Sequence, residues 1–573
     1  MNGFIVIFTT GKIFHVNIPI FWKRPFNFQT SFFNRQHKGD NFQIEQFSSK
    51  KFENEKLWID TDDFMCITEG VIHNINDLCK QHNVMDTKSL IRKYYEDKNY
   101  TFFSQFEGNY TGVFHDKHVN SWIAFNNKTA MKKVFYFHNS DYVIFSSDLK
   151  TLTQSLKELK ISFSLNEESA YLLLSSGFMH ENLTLINEVN QLRAGEYCNF
   201  KDGILKVDSY FNLKDITETN DSKKIIIEQL DVLFKDAIRL EFDIDKSNNY
   251  NHLTTLSGGL DSRMTALIAY KMGYRDQILL NFSEKGYADE IISKQIAKAY
   301  QMELIQIELK AQSLNSIQDV VSVNDGLTVY TGCSHVFSIL DGIGDINNGM
   351  IHTGMIGDAV MGSFLSKPVE TKPQINDGMY STKISKRVED FLKKQLLNYP
   401  TEELYKFYNR AFMGANNGCL YLDLIGETST PFLNSAFLSY AYSIPLKYKF
   451  KENIYIEWIK TLHPDIARFT WESIGGKPTN NANLRLFYRY KRALMKRLPI
   501  STMWKNTMSP EQYWYDSNLN IKKTLDENFT ENIHLIESYA ELHSDALTLY
   551  NQGNITEKTQ VLTLLGAIKL HFE

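Results

Sequence analysis

The chain has 573 residues, 43% hydrophobic, 13% aromatic and 23% charged, with 62 basic against 67 acidic side chains and a net charge of -5. At about 150 residues per domain there is room for two to four domains and a large core, which excludes a disordered or fibrous protein. The near-balanced charge gives no global pull toward nucleic acid or an anionic membrane.

The opening MNGFIVIFTTGKIF has no basic segment before its apolar run and no small-residue cleavage site, and no stretch nears 18 consecutive apolar residues. Neither an export signal nor a membrane span is expected. Five cysteines, Cys66, Cys79, Cys198, Cys333 and Cys419, stand far apart with no C-x-x-C pair. They fit no disulfide framework or zinc site, so a reducing cytoplasm is the expected compartment.

The first 150 residues read as strands joined by turns, with β-branched and aromatic runs at Phe4 to Phe8, Gly112 to His115, Ser121 to Phe125, Lys133 to Phe137 and Tyr142 to Ser146. Asn76 to Tyr95 carries one helical pattern or two. Short strands at Gly195 to Phe200 and Lys206 to Tyr210 precede a change to helical periodicity, where Asp221 or Ser222 can cap a helix through Ile226, Leu230, Leu233, Phe234, Ile238 and Leu240. Strand and helix then alternate: Leu253 to Leu256, Ser262 to Met272, Gln277 to Phe282, Asp289 to Tyr300, Leu304 to Leu309. That βαβαβ pattern predicts a parallel sheet covered by helices, followed by a mostly helical part after about residue 375.

Leu256-Ser257-Gly258-Gly259-Leu260-Asp261-Ser262-Arg263 lies between a predicted strand and a predicted helix. Two glycines let the backbone turn its N-H groups toward an anion, and the helix adds its positive end. Ser257 and Ser262 can donate to phosphate oxygens, and Asp261 can hold a magnesium ion that bridges them. A bare Gly-Gly turn capped by Asp261 or Ser262 is the bland alternative; the complete S-G-G-x-D-S in this position favours a pyrophosphate cradle. Arg263 is open to two readings, a phosphate or acid contact or an exposed helix arginine.

This stretch resembles the nucleotide alpha-hydrolases with a P-P loop, and within them the asparagine synthetase family. Asn281-Phe282-Ser283 with Asp289-Glu290 resembles the family's base- and ribose-holding strand. His352-Thr353-Gly354-Met355-Ile356-Gly357-Asp358 is similar to its turn carrying a second magnesium-binding aspartate. Gly426-Glu427-Thr428-Ser429-Thr430-Pro431-Phe432-Leu433-Asn434 resembles its segment with a catalytic-side glutamate, and Gly475-Gly476-Lys477 falls where the family places a lysine facing the adenylate. The resemblance thus implies ATP and magnesium as cofactors, Leu256, Ser257, Gly258, Gly259, Asp261, Ser262, Phe282, Ser283 and Gly357 at the nucleotide, Asp261 and Asp358 at the metal, and Glu427 and Lys477 as catalytic groups. Departures are Ala359 after the second aspartate and Asn434 in place of an aspartate.

The front resembles a class II glutamine amidotransferase domain through Thr68-Glu69-Gly70-Val71-Ile72-His73-Asn74, Phe106-Glu107-Gly108 and Phe145-Ser146-Ser147-Asp148-Leu149-Lys150. Members that hydrolyse glutamine expose a cysteine as residue 2, whereas this chain has Asn2; Glu69 replaces the oxyanion asparagine, and Asn126-Asn127 an Arg-Asp pair. An inactive glutaminase is the implied state.

The implied fold is two-domain α/β: an N-terminal Ntn-type αββα sandwich at residues 1–215, and at 216–573 a doubly wound parallel sheet with a helical C-terminal part. The implied activity is ligation: a carboxylate attacks the α-phosphorus of ATP, pyrophosphate leaves, and ammonia or a substrate amine attacks the acyl-adenylate. A small-molecule or peptide carboxylate is the implied partner, without membrane or nucleic acid, and a homodimer is compatible. Relatives with a silent front include β-lactam-forming and peptide-cyclising enzymes; Met355 replaces the tyrosine of the former. Three alternatives stay open: a glutamine-hydrolysing asparagine synthetase; a P-P loop enzyme modifying transfer RNA, for which the basic run Arg485, Arg489, Lys491, Arg492, Lys496 and Arg497 between Leu484 and Leu498 is the relevant feature; and a non-catalytic scaffold, whose sign would be no ATP binding.

Overall fold

The computed structural model describes residues 2–10, 18–20, 22, 31–343, 346–481, 483, 484, 487, 488, 490 and 510–573. All six basic residues of the run noted above lie outside the described residues.

Twelve strands make the front: β1 (Gly3–Thr9), β2 (Phe32–Lys38), β3 (Phe42–Ser49), β4 (Trp58–Asp60), β5 (Phe64–Ile72), β6 (Gly108–Asp116), β7 (Ser121–Asn126), β8 (Phe135–His138), β9 (Tyr142–Ser146), β10 (Asn190–Gln191), β11 (Glu196–Lys201) and β12 (Ile204–Ser209). They form two antiparallel six-stranded sheets, β10-β8-β9-β1-β3-β2 and β12-β11-β7-β6-β5-β4. β1 and β5 are buried along their whole length because both faces of each sheet are covered. Strand alternation sends Phe4, Val6 and Phe8 into the space between the sheets with Met65, Val113 and Trp122, and turns Ile5 and Ile7 outward onto Leu149 and Leu152. Helices Ile75–Gln81 and Thr87–Glu96 cover the second sheet, and Leu149–Glu158 and Glu167–Ser176 the first. This is the four-layer αββα order the resemblance implies.

The helical pattern from Asn76 resolves into two helices because Asp86 accepts from Ser89 N at 2.8 Å and starts the second. Ser222, not Asp221, caps the helix Lys223–Ser247; Asp221 instead accepts from the Tyr440 hydroxyl at 2.7 Å. The strand read from Lys133 begins at Phe135, since Lys132 and Lys133 are drawn into the boundary between the halves.

Beyond that helix, β13 (Asn251–Thr255), β14 (Gln277–Ser283), β15 (Glu303–Glu308), β16 (Asn348–His352) and β17 (Glu427–Ser429) form an all-parallel sheet in the order β15-β14-β13-β16-β17. Leu279 packs on one face with Phe234, Leu267 and Ile296; its neighbour Leu280 packs on the other with Val320 and Leu562. Helices therefore cover both faces, and most of the remaining chain is helical to Phe572. Strand order reverses between β13 and β16. In such sheets the turns leaving those two strands flank the ligand crevice.

One apolar cluster runs through both halves, from Ile7 and Leu152 to Leu253 and Leu562. Asp325 of the second half also accepts from Leu149 N (3.0 Å) and Lys150 N (3.3 Å), satisfying the first turn of a front-half helix. Among the described residues, no helix is long and apolar enough to cross a membrane.

Candidate functional site

The turns leaving β13 and β16 are in contact. A Cβ on Gly354 would lie 2.2 Å from Ser262 N, and one on Gly357 would lie 2.8 Å from Asp261 Cγ, so only glycine permits this approach. Between them Ile356 takes φ 63°, a costly backbone for a β-branched residue that the interlocked turns enforce. Asp261, Ser262, Gly357 and Asp358 are thus brought together.

Within the first turn, Ser257 N donates to Ser262 Oγ (3.0 Å), Gly259 N to Ser257 Oγ (3.1 Å) and Gly258 N to Asp289 Oδ1 (2.7 Å). Leu256 N donates to Leu280 O (2.8 Å), and Asn281 Nδ2 donates to Leu256 O (2.6 Å), which anchors the turn to β14. Ser283 is buried and donates to Asn281 Oδ1 (3.1 Å); the ring of Phe282 stacks on His335 with centroids 5.2 Å apart.

Neither reading of Arg263 survives. The side chain is fully buried and donates to the carbonyls of Gly258 (3.0 Å), Phe469 (3.4 Å) and Thr470 (2.6 Å), so it ties the glycine turn to the segment after Phe469. That segment folds back through Trp471 N to Gly476 O (2.8 Å), rests on the glycine turn through Glu472 N to Gly258 O (3.0 Å), and leaves Lys477 exposed beside it.

Asp261 Oδ1 is sealed from solvent with no hydrogen-bond partner among the described residues. Burial, then the charges of Asp358 and Glu452, push its carboxyl well above the usual range. Asp358 is exposed and accepts from Ser363 Oγ at 2.8 Å. An orphaned carboxylate oxygen facing a second carboxylate suits a hard divalent cation, and the bare Gly357 leaves backbone room for phosphate to approach. The residues present fit magnesium.

Glu427 stands in a different setting. It pairs with Met350 on β16, and its buried carboxylate meets Lys132 Nζ at 2.7 Å and Lys56 Nζ at 3.2 Å, both from the front half. Lys132 also reaches Asp423 Oδ2 at 2.8 Å, and Lys56 reaches Glu69 Oε1 at 3.5 Å. Burial would raise the Glu427 carboxyl, but the two ammonium groups outweigh it and hold it down to about 2. So low a value makes a weak base. Sequence reasoning missed Lys56, Lys132 and Asp423; the one signal was a Lys-Lys pair at the mouth of an apolar strand.

Beside this bridge a cavity of about 80 Å³ is lined by Asn2, Ser49, Glu69, Lys132, Lys133 and Asp423, among others. Asn2 Oδ1 accepts from Ser49 N at 2.9 Å, and Glu69 accepts from Ser48 Oγ at 2.7 Å. Asn126 Nδ2 donates to Leu192 O (3.1 Å) and Asn127 Nδ2 to Gly108 O (3.1 Å), which fixes the loop that delivers Lys132 and Lys133. Lys133 is buried with the Phe412 carbonyl at 3.3 Å, and desolvation lowers its ammonium to about 7.

Residues 57–211 match the family model described as a glutamine amidotransferase domain. The front carries an amidotransferase-like domain. A protein of Methanocaldococcus jannaschii named "Putative asparagine synthetase [glutamine-hydrolyzing] 2" is 25% identical over 211 residues, which is 36% of this chain and 40% of that protein; the match spans less than half of either. Two solved structures are similar at low level: the allosteric regulatory enzyme of purine biosynthesis (10% identity, TM-score 0.22, covering 66% of this chain and 80% of that one) and the glutamine phosphoribosylpyrophosphate amidotransferase of B. subtilis with ADP and GMP (11%, 0.22, 66% and 81%).

The bridge and Lys133 each yield a test. Lys132→Met strips one of the two cations from buried Glu427 and leaves Asp423 without its ion-pair partner, so a loss of roughly 3–5 kcal/mol in chemical denaturation is expected, partly restored by adding Glu427→Gln. An unchanged midpoint would remove the bridge from the stability account. For Lys133, the folded value near 7 lies below the ordinary 10.5, so the unfolded chain binds the extra proton between them and this group's cost is full below pH 7 and fades toward pH 10. Lys133→Met should therefore raise the melting temperature relative to the parent more at pH 6 than at pH 9; an equal shift at both would contradict the buried-ammonium assignment.

Proposed function

We propose that the chain is an ATP-dependent carbon–nitrogen ligase that activates a carboxylate as its adenylate, releasing pyrophosphate and then AMP. The observation that carries this is the orphaned Asp261 oxygen, set against Asp358 and a serine-glycine turn at the reversal point of a parallel sheet. The amidotransferase-like front and the partial likeness to an asparagine synthetase support the reading.

On this reading the hydroxyls of Ser257 and Ser262, and the N-H groups of Gly258 and Gly259, exchange their internal bonds for pyrophosphate oxygens, while Leu256, Phe282, Ser283 and Gly357 wall the nucleotide. Asp261 and Asp358 would hold magnesium, which supplies positive charge against the phosphate oxygens. The substrate carboxylate oxygen bonds to the α-phosphorus as the bond to the bridging oxygen breaks; nitrogen then attacks the acyl carbon, AMP departs, and the surplus proton passes to solvent. Lys477, carried on the segment that rests on the glycine turn, faces the charge that builds in both steps. Glu427 is spoken for by two lysines and joins the halves.

Nitrogen arrives as ammonia or an amine. The position before β1 is an amide, and Glu69 and Lys56 fill the pocket with a bonded ion pair where a neutral donor for an oxyanion would be required.

Two outcomes follow. With ATP, magnesium and an accepted acid, AMP and pyrophosphate should form in equal amounts, and Asp261→Asn should cut turnover by at least ~10²-fold with an unchanged circular-dichroism spectrum; stoichiometric ADP would refute the reaction type. Glutamine alone should yield no glutamate, from the parent or from Asn2→Cys, while ammonium supports ligation; glutamate appearing in step with amide product would restore a glutamine-dependent synthetase.

A further inference from the structure

The turn that carries Asp358 forms one wall of a second cavity, of about 320 Å³, whose other walls come from unrelated parts of the chain. Met355, Ile356 and Ala359 line it on the Asp358 side; Arg410, Gly414 and Gly418 line it opposite, with Phe178, Val329, Phe364 and Tyr380 between. Clefts of about 300–1,000 Å³ with apolar walls and a few polar groups take ligands with an apolar body, whereas a four-carbon amino acid would leave these aromatic rings against water.

Three features give the cavity its chemistry. Two of its walls are π-helical turns, Ala359–Ser363 and Phe407–Gly414, a wide and uncommon backbone that collects at functional sites. Its one lining cation, Arg410, is exposed, with its guanidinium 5.6 Å from the Phe364 ring centroid, and has no carboxylate partner among the described residues. Gly332 and Gly418 keep the floor low: a Cβ on Gly332 would meet nothing within 4 Å, and one on Gly418 only the Gly332 carbonyl at 3.8 Å. The empty space at these glycines is room in the cavity, not a packing need.

We propose that the acid activated by this chain is an apolar-bodied dicarboxylate, seated with one carboxylate toward Asp358 and the glycine turn and the other on Arg410. The inference rests on the ligase reading for which carboxylate reacts, and on the cavity alone for what binds. At the reacting end the charge would be met by the cation that Asp261 and Asp358 would hold; at the far end a planar guanidinium already placed over a ring pairs a carboxylate by two parallel hydrogen bonds. Its apolar body lies on Phe178, Met355 and Phe364. Aspartate carries no apolar body to cover these rings, and a monoacid leaves Arg410 unpaired.

Three acids separate these demands: L-aspartate, 3-phenylpropanoate and 2-benzylsuccinate, the first and last sharing a succinate frame and the last two a benzyl group, with 2-benzylsuccinate carrying one carboxymethyl group more than 3-phenylpropanoate. Each is assayed for pyrophosphate exchange with ATP and, separately, for binding by calorimetry without nucleotide. 2-Benzylsuccinate should exceed both others by at least ~10-fold in each measurement. Arg410→Met should bring it down to the 3-phenylpropanoate level, and Gly332→Leu, which fills the floor, should weaken both aromatic acids while ATP binding persists; melting curves check that both variants fold. Exchange with aspartate that ignores Arg410→Met would overturn the substrate inference and leave the ligase reading standing. Arg410-dependent binding of 2-benzylsuccinate with no exchange from any acid would uphold the cavity and overturn the ligase reading. Absence of binding by all three would overturn the inference by itself.

Discussion

Everything at the candidate site depends on two backbone turns being allowed to touch. The segments leaving β13 and β16 converge at the reversal of strand order, where no helix or strand lies between them, and Gly354 and Gly357 let one turn lie on Asp261 and Ser262 of the other. That closeness seals Asp261 Oδ1 from solvent and sets the carboxyl within the field of Asp358. The juxtaposition of two carboxylates is a consequence of the crossing, not an added feature. Arg263 secures it from behind, since three carbonyls converge on one buried guanidinium and fix the glycine turn against the Trp471 segment.

The second organising contact is the buried bridge of Lys56, Glu69, Lys132, Asp423 and Glu427. Ion pairs in a dry boundary recover little net energy over apolar packing, because desolvation offsets their attraction. What they add is register: any sliding of the halves would leave a charge unpaired. Asp325, seated on the N-terminus of the front helix Leu149–Glu158, acts in the same sense. Between these contacts the apolar cluster is continuous, so the halves share a core as well as a boundary.

What was legible in the residues divides along this line. The alternation of β13 to β15 with their helices, the apolar runs of β1, β7 and β9, and the glycine turn are local patterns, and each was read nearly at its observed bounds. β16 and β17 are only five and three residues long, and β17 lies 74 residues beyond the end of β16, so their pairing depends on a long excursion that no periodicity announces. Arg263 looked like a surface or ligand arginine because its partners are carbonyls some 200 residues away. Glu427 was placed with the chemistry by its neighbours in sequence; its partners in space are lysines from the other half.

The front domain's persistence then has a physical cause that does not require glutamine chemistry. Its helices Leu149–Glu158 and Glu167–Ser176 pack against the C-terminal helix Ile555–Phe572, and its Phe178 lines the cavity beside Asp358. Removing it would expose apolar side chains of that C-terminal helix such as Leu562 to water and strand Glu427 and Asp423 without their cations. Asn2, the residue before β1, is not among the apolar side chains of that packing. Whatever chemistry a domain in this position performs, the residues that bear on its neighbour are constrained by the core they share.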